Sequence, residues 1–260
     1  MPQTKIGLSM LYCLGEPFGK MVKRVSKVQT AYVEVVDDGL HTLNKKRVAQ
    51  LRETAKATGA KFTLHSPFAD INIASPSKPM LKASMKRLTQ SISYANALDA
   101  ELLVLHPGSK TGISMFYPEA DWKQNVKSIQ ALHAIAEDYG VKLAIENLPE
   151  KYGFLMKSAA DFQRFYKETN LPIGIVLDVG HANLEKQVEP FLTQVPDKLV
   201  HLHVSDNMGE LDQHLGIGYG AINWQQFASS LKKTGFKGIV MTESVEHVEE
   251  SVQKLRQLFA

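Results

Sequence analysis

Leu143-Ala144-Ile145-Glu146 is three apolar residues closed by a carboxylate, and five other segments repeat the design. They are Phe62-Thr63-Leu64-His65, Leu103-Val104-Leu105-His106, Ile175-Val176-Leu177-Asp178, Val200-His201-Leu202-His203 and Val240-Met241-Thr242-Glu243. Each reads as a short strand, and each closes on imidazole or carboxylate, never on Lys or Arg. One such ending carries little information. Six in succession imply a polynuclear metal site where the C-terminal ends of several parallel strands converge. His181, Asp212 and His214 lie just past two of those ends and extend the set of ligands.

The rest of the chain alternates in the same rhythm. Strands are expected at about 5–10, 31–37, 61–66, 102–107, 142–147, 173–179, 199–205 and 238–243. Between them the apolar residues fall at helical spacing, as in Leu81, Met85, Leu88, Ile92 and Ala95, or Val126, Ile129, Leu132, Ile135 and Ala136. Gly59, Gly140 and Gly235 stand where helices stop, and Ser77, Ser158 and Asn223 where helices start. Eight strand–helix units with continuously apolar strands predict an α/β fold, a single (β/α)8 barrel over residues 1–260, because a parallel sheet buries both its faces. An open doubly wound sheet normally carries a glycine-rich phosphate loop after its first strand, and Leu8-Ser9-Met10-Leu11-Tyr12 has none. In such a barrel His65, His106, Glu146, Asp178, His203 and Glu243 ring the mouth from strands three to eight. Strands one and two offer no ligand in this reading, so the metals sit toward one side.

Composition bounds the function loosely. The net charge of +3 does not by itself argue for nucleic acid. Cys13 is the only cysteine, so an intramolecular disulfide and a cysteine-based zinc site are excluded. Residues 5–10 follow Met1 without a charged leader, and no run approaches the ~20 apolar residues of a membrane span. A cytoplasmic protein with no membrane partner is expected.

Nine candidate ligands are too many for one zinc and suit two or three, with a carboxylate such as Glu146 shared between ions. Asp178-Val179-Gly180-His181 sets two ligands three apart across the turn out of strand six. Asp212-Gln213-His214 sets two more on one side of an extended segment. His181, Asp212 and His214 can therefore form a site of their own, and the remaining residues a paired site. Such a cluster generates hydroxide near neutral pH and stabilises charge on a phosphodiester without a serine or cysteine nucleophile.

These residues also carry a resemblance. His65-Ser66-Pro67, His106-Pro107-Gly108-Ser109, Glu146-Asn147, Asp178-x-x-His181, His203-x-x-Asp206, Asp212-x-His214 and Thr242-Glu243-Ser244 resemble the xylose isomerase-like TIM barrels that include endonuclease IV. The resemblance spans essentially the whole chain. It implies a three-zinc phosphodiesterase, with His65, His106 and Glu146 on one ion and Glu146, Asp178, His203 and Glu243 on the second. His181, Asp212 and His214 hold the third, and Glu146 and Glu243 are the catalytic carboxylates. The substrate so implied is abasic-site DNA or another phosphodiester such as a cobamide.

Departures from that pattern weigh against DNA. The loop after strand two, Asp38-Gly39-Leu40-His41-Thr42, has no arginine, and Phe68-Ala69-Asp70 follows strand three in place of a tyrosine-bearing segment. Phe116, Tyr117, Tyr152 and Phe154 are candidate contacts for a bulky planar substrate, or packing residues. The rival reading is a sugar or sugar-phosphate isomerase or epimerase with one Mn, Mg or Co ion on Glu146, Asp178, His203 and Glu243. There Glu146 and Glu243 move protons on opposite faces of a substrate carbon. The isomerases it resembles tend to carry an arginine a few residues beyond His203, where this chain has Asn207-Met208-Gly209. A non-catalytic binding module is disfavoured, because so many ionisable groups at one mouth cost stability.

Other residues have plainer readings. His201 is expected to be a satisfied barrel histidine, Asp206 is a candidate to orient a ligand histidine, and His41 is either a substrate contact at the mouth or, the favoured reading, the start of a solvated helix. His133 and His247 are expected on helix surfaces, and Lys45-Lys46-Arg47 on a solvated helix face. Leu215-Gly216-Ile217-Gly218-Tyr219-Gly220 is read as loop geometry that carries Asp212 and His214 to the mouth, not as a nucleotide motif.

Overall fold

The eight apolar runs pair in parallel and in chain order, and β8 closes back on β1. The strands of this computed structural model, which describes residues 4–259, are β1 (Lys5–Ser9), β2 (Tyr32–Val36), β3 (Lys61–His65), β4 (Leu103–Leu105), β5 (Leu143–Glu146), β6 (Gly174–Asp178), β7 (Leu199–Val204) and β8 (Ile239–Thr242). Around them lie α1 (Phe18–Val25), α2 (Lys45–Thr58), α3 (Lys78–Leu98), α4 (Ala120–Asp138) and α5 (Ala159–Thr169). The short α6 (Val179–Leu184) and α7 (Val188–Gln194) share the β6–β7 connection, and α8 (Trp224–Thr234) and α9 (Val248–Leu258) complete the ring. This is the (β/α)8 TIM barrel expected from the alternation. Among the described residues no helix is long and apolar enough to cross a membrane.

Two apolar clusters account for the layering. The larger lies between sheet and helices, where Leu51, Ile92, Ile129, Phe162, Phe191 and Leu255 pack over Val33, Leu64, Leu177 and Leu202. Each of these side chains contributes about 1.5–3 kcal/mol by leaving water. The smaller, Leu102, Val104, Ala144 and Val176, has the opposite strand parity and fills the barrel interior. Above that plug the inward positions turn polar. The interior is thus closed below and chemical above.

Helix ends follow the punctuation in the sequence. Gly59 and Gly235 end α2 and α8 at φ 74° and 72°, a left-handed conformation that glycine adopts without penalty. Ser158 and Asp161 form a reciprocal capping box on α5, and Asn223 accepts from the Gln226 amide to start α8. Ser77 precedes α3 without a side-chain cap bond, and Pro79 fixes the first turn instead. Strands β4 and β8 are shorter than their apolar runs suggested, so His106 and Glu243 stand just beyond the last hydrogen-bonded residues.

Candidate metal centre

All nine expected ligands meet at the barrel mouth, in three groups. His65, His106 and Glu146 form one, His181, Asp212 and His214 another, and Glu146, Asp178, His203 and Glu243 a third, each with its ligand atoms within 4.8 Å of one another. Glu146 is the common member. Its Oε2 lies 3.3 Å from His65 Nε2 and 3.1 Å from His106 Nε2, while its Oε1 lies 3.1 Å from His203 Nδ1. Glu243 Oε2 approaches that same His203 nitrogen at 3.4 Å.

Backbone carbonyls set the histidine tautomers. Nδ1–H of His65, His181 and His214 donates to the carbonyls of Ser66 (2.8 Å), Asn147 (2.9 Å) and Glu243 (3.1 Å). Nε2 of each ring is thereby left facing a carboxylate, as metal-ligating histidines are usually held. Asp178 is held from both sides. Its N–H donates to Asn147 Oδ1 (2.8 Å) and its carbonyl accepts from Asn147 Nδ2 (3.1 Å), while its Oδ1 accepts from the His181 amide at 2.7 Å and caps α6.

The remaining oxygen of Asp178, Oδ2, is buried without a hydrogen-bond partner, and so is Oδ1 of Asp212. Buried carboxylate oxygens are rarely left so unless a cation completes them. Nitrogen and oxygen donors at these spacings fit a divalent ion such as zinc or manganese. The residues present fit the group that the sequence implied.

Electrostatics agree. Burial alone would raise Glu146, but His203 and His106 hold its carboxyl well below the usual range. Glu243 goes the other way: burial, reinforced by Glu146 and Glu34, pushes it up to about 7. His203 is lifted well above its ordinary value, because Glu243, Glu34 and Glu146 together outweigh its burial. Asp178 raises His181 to about 10 and Asp212 raises His214 to about 9, again against burial. Burial lowers His106, while Glu146 raises His65. The site shares protons among its own groups, and a cation bound there would take their place.

The loop from Asp206 to Asn223 delivers Asp212 and His214. Asp206 and Leu215 pair backbone to backbone at its neck, 2.9 and 2.8 Å. Asp206 does not touch a histidine, contrary to expectation. Its carboxylate instead accepts from the Gly218 and Ile222 amides and from Trp224 Nε1, at 2.8, 3.2 and 2.8 Å. Nor is the Asp212–His214 segment extended throughout, since His214 has φ 48°. That left-handed turn still brings His214 Nε2 and His181 Nε2 to 3.2 and 3.1 Å from Asp212 Oδ2. The glycine-rich run is packing geometry as read: a Cβ on Gly220 would overlap Asp206 Oδ1 and stand 2.5 Å from the Asn207 carbonyl.

Other expectations need correction. Strand β2 does supply a site residue: Glu34 is fully buried beneath His203. The available signal was a lone charge between Val33 and Val35 in an apolar strand, which burial makes expensive unless it is paired. His201 is buried as expected but not satisfied, with neither ring nitrogen hydrogen-bonded and Nε2 3.3 Å from Glu34 Oε2. His41 is buried rather than solvated, its Nε2 on the Glu16 carbonyl at 3.0 Å and its ring against Phe18. His133 is half-buried near Glu137, and His247 precedes α9, stacked on Tyr219. Lys45 and Lys46 are exposed, whereas Arg47 lies over the Phe18 ring. Phe116, Tyr117 and Tyr152 are exposed on the mouth loops, and Phe154 meets His106 edge-on at 6.3 Å. Phe68, read from the sequence only as part of a segment that stands in place of a tyrosine-bearing one, stacks on His106 from the loop after β3 at 5.4 Å.

A family model described as xylose isomerase-like TIM barrel matches residues 22–259. A solved D-tagatose 3-epimerase-like protein superposes with a TM-score of 0.90 at 28% identity, covering 98% of this chain and 97% of that one. D-psicose 3-epimerase of Agrobacterium fabrum is 23% identical over 87% of this chain and 78% of its own length. A probable endonuclease 4 of Thermosipho melanesiensis is 27% identical over 68% of this chain and 66% of its own. With its eight-stranded barrel and a match over nearly its whole length, the chain belongs to the xylose isomerase-like TIM barrel family.

Proposed function

We propose that the chain is a divalent-metal-dependent epimerase or isomerase of a small polyhydroxylated carbonyl compound, acting at Glu146, Asp178, His203 and Glu243. One observation carries the reading: carboxylates from β5 and from the end of β8 converge on the same nitrogen of His203, at 3.1 and 3.4 Å. A bound divalent ion would polarise the substrate's carbonyl and neighbouring hydroxyl, so that the C–H between them becomes acidic. Glu146 and Glu243 stand on either side of the ion site, from β5 and from the end of β8, as a base and an acid acting on one carbon must. One takes the carbon-bound proton and the other returns a proton to the opposite face. His65, His106, His181, Asp212 and His214 would hold substrate hydroxyls, with Phe68 and Phe154 walling the His106 side.

Likeness in length supports this reading over the phosphodiesterase that sequence reasoning puts first. The epimerase-like structure matches end to end, whereas the endonuclease 4 relative is matched over 66% of its length. Arg87, which reaches the mouth from α3, is spent on Asp37 through contacts of 2.7 and 2.9 Å. Its charge is therefore already paired.

The test is incubation with ketohexoses and ketopentoses in D2O with Mn2+, read by proton NMR. Deuterium should enter at the carbon beside the carbonyl as the epimer appears. Absence of exchange across the panel would sink the reading.

A second reading rests on Glu146 alone. Its two oxygens divide between two groups, Oε2 to His65 and His106 and Oε1 to His203, as a carboxylate bridging two ions would. With three zinc ions, the same nine residues would suit hydrolysis of abasic DNA or of a smaller phosphodiester such as a cobamide. Zinc-dependent cleavage of bis-p-nitrophenyl phosphate, together with duplex binding that weakens steeply with salt, would favour it.

A further inference from the structure

His203 is oriented differently from the other histidines of the site. His65, His181 and His214 rest Nδ1 on backbone carbonyls and turn Nε2 to the cluster. His203 turns Nδ1 to Glu146 and Glu243, and its Nε2 points down the barrel to Oε1 of Glu34 at 3.0 Å. Both of those atoms are buried without a hydrogen-bond partner, and the 3.0 Å between them is an ion-pair contact. The other oxygen of Glu34 is already engaged. Thr63 Oγ1 donates to Oε2 at 2.9 Å, and His201 Nε2 stands 3.3 Å from the same atom. Oε1 is thus left for His203. Register fixes the arrangement, since Glu34 pairs with Thr63 across β2–β3, and His203 with Asp178 across β6–β7.

We infer that Glu34 is a positioning residue for His203. Its carboxylate, paired with Nε2 at 3.0 Å, favours the proton on that nitrogen and so orients the ring with Nδ1 toward the ion site. An ion held there would take the place of a proton on Nδ1, and Nε2 would keep its own toward Glu34. The inference rests on the proposed ion site at Glu146, Asp178, His203 and Glu243. A purely structural Glu34 would contribute to folding and leave the ion's affinity untouched.

The experiment is calorimetric titration of the metal-free full chain with Co2+, in the wild type, Glu34→Gln and His201→Gln, beside thermal melts of each. Glu34→Gln should weaken Co2+ binding about 10–100-fold, while His201→Gln, altering a neighbour on the same carboxylate, should change it less than about 3-fold. Equal affinity in Glu34→Gln and wild type, or equal losses in both variants, overturns the inference. If Glu34→Gln does not fold, the 15N shifts of His203 in zinc-loaded wild type decide. Coordination through Nδ1 with a proton on Nε2 is expected, and coordination through Nε2 overturns it. A wild type that binds no Co2+ removes the ion site and the inference together. Wild-type binding with an unaffected Glu34→Gln removes the inference alone.

Discussion

Glu146 is the residue on which the site turns, because three histidines on three strands or loops reach its two oxygens within 3.3 Å. Glu146→Gln keeps the shape and one acceptor but loses the charge that those histidines share. We expect turnover to fall by about 10²–10⁴-fold with the fold intact. Steady-state rates beside circular dichroism check this, and full activity would contradict the shared-carboxylate account. At this scale the ligands were legible because imidazole and carboxylate closed successive apolar runs. Glu34 was not, because it sits inside its strand, where alternation gives no sign that the neighbour above it is a histidine from β7. His41 misled for a related reason: its three-residue helix at Gly39–His41 folds inward onto the Glu16 carbonyl, a contact across 25 residues that local pattern does not encode.

Among the elements, the β7–α8 loop matters most, since it alone brings Asp212 and His214 to the mouth. Its shape depends on Asp206, which ties Gly218, Ile222 and Trp224 to the end of β7. Asp206→Ala leaves the Trp224 N–H and the two amides without that acceptor. We expect unfolding free energy to drop by about 1–3 kcal/mol. Amide exchange at Leu215 and Gly218 should accelerate, while Co2+ affinity at Glu146, Asp178, His203 and Glu243 stays within a few-fold. Denaturant melts, hydrogen exchange and calorimetry together test this, and unchanged exchange would show that the loop is held by other means. Helix ends at Gly59 and Gly235 were readable because a left-handed cap nearly demands glycine. The turn at His214 was not, because histidine carries no such signature and its φ of 48° is imposed by the loop closing on Val245 and Glu243.

For the whole molecule, the barrel followed from eight alternating strand–helix units that lack the glycine-rich loop an open doubly wound sheet normally carries after its first strand. Which function the mouth serves did not follow, because the four residues at its centre suit proton transfer and phosphodiester hydrolysis alike. The charge network makes a prediction at this scale. His181 and His214, at about 10 and about 9 against 6.5 unfolded, bind protons more tightly when folded. Their stabilisation is complete below the unfolded value and is lost as pH climbs through the folded ones. Glu243, raised from 4.5 to about 7, adds a loss over that lower interval. The EDTA-treated protein should therefore melt at falling temperature between about pH 6.5 and 10, whereas saturating Mn2+ should stabilise more as pH rises, because binding releases protons. A melting temperature of the metal-free protein that rises over that range would contradict the network. The central claim, one catalytic ion on Glu146, Asp178, His203 and Glu243, is tested most directly by counting metal per chain in protein purified without a metal-binding tag, using plasma mass spectrometry. The account predicts about one divalent ion per chain, lost in Glu146→Gln. About three zinc ions per chain, or none, would contradict it.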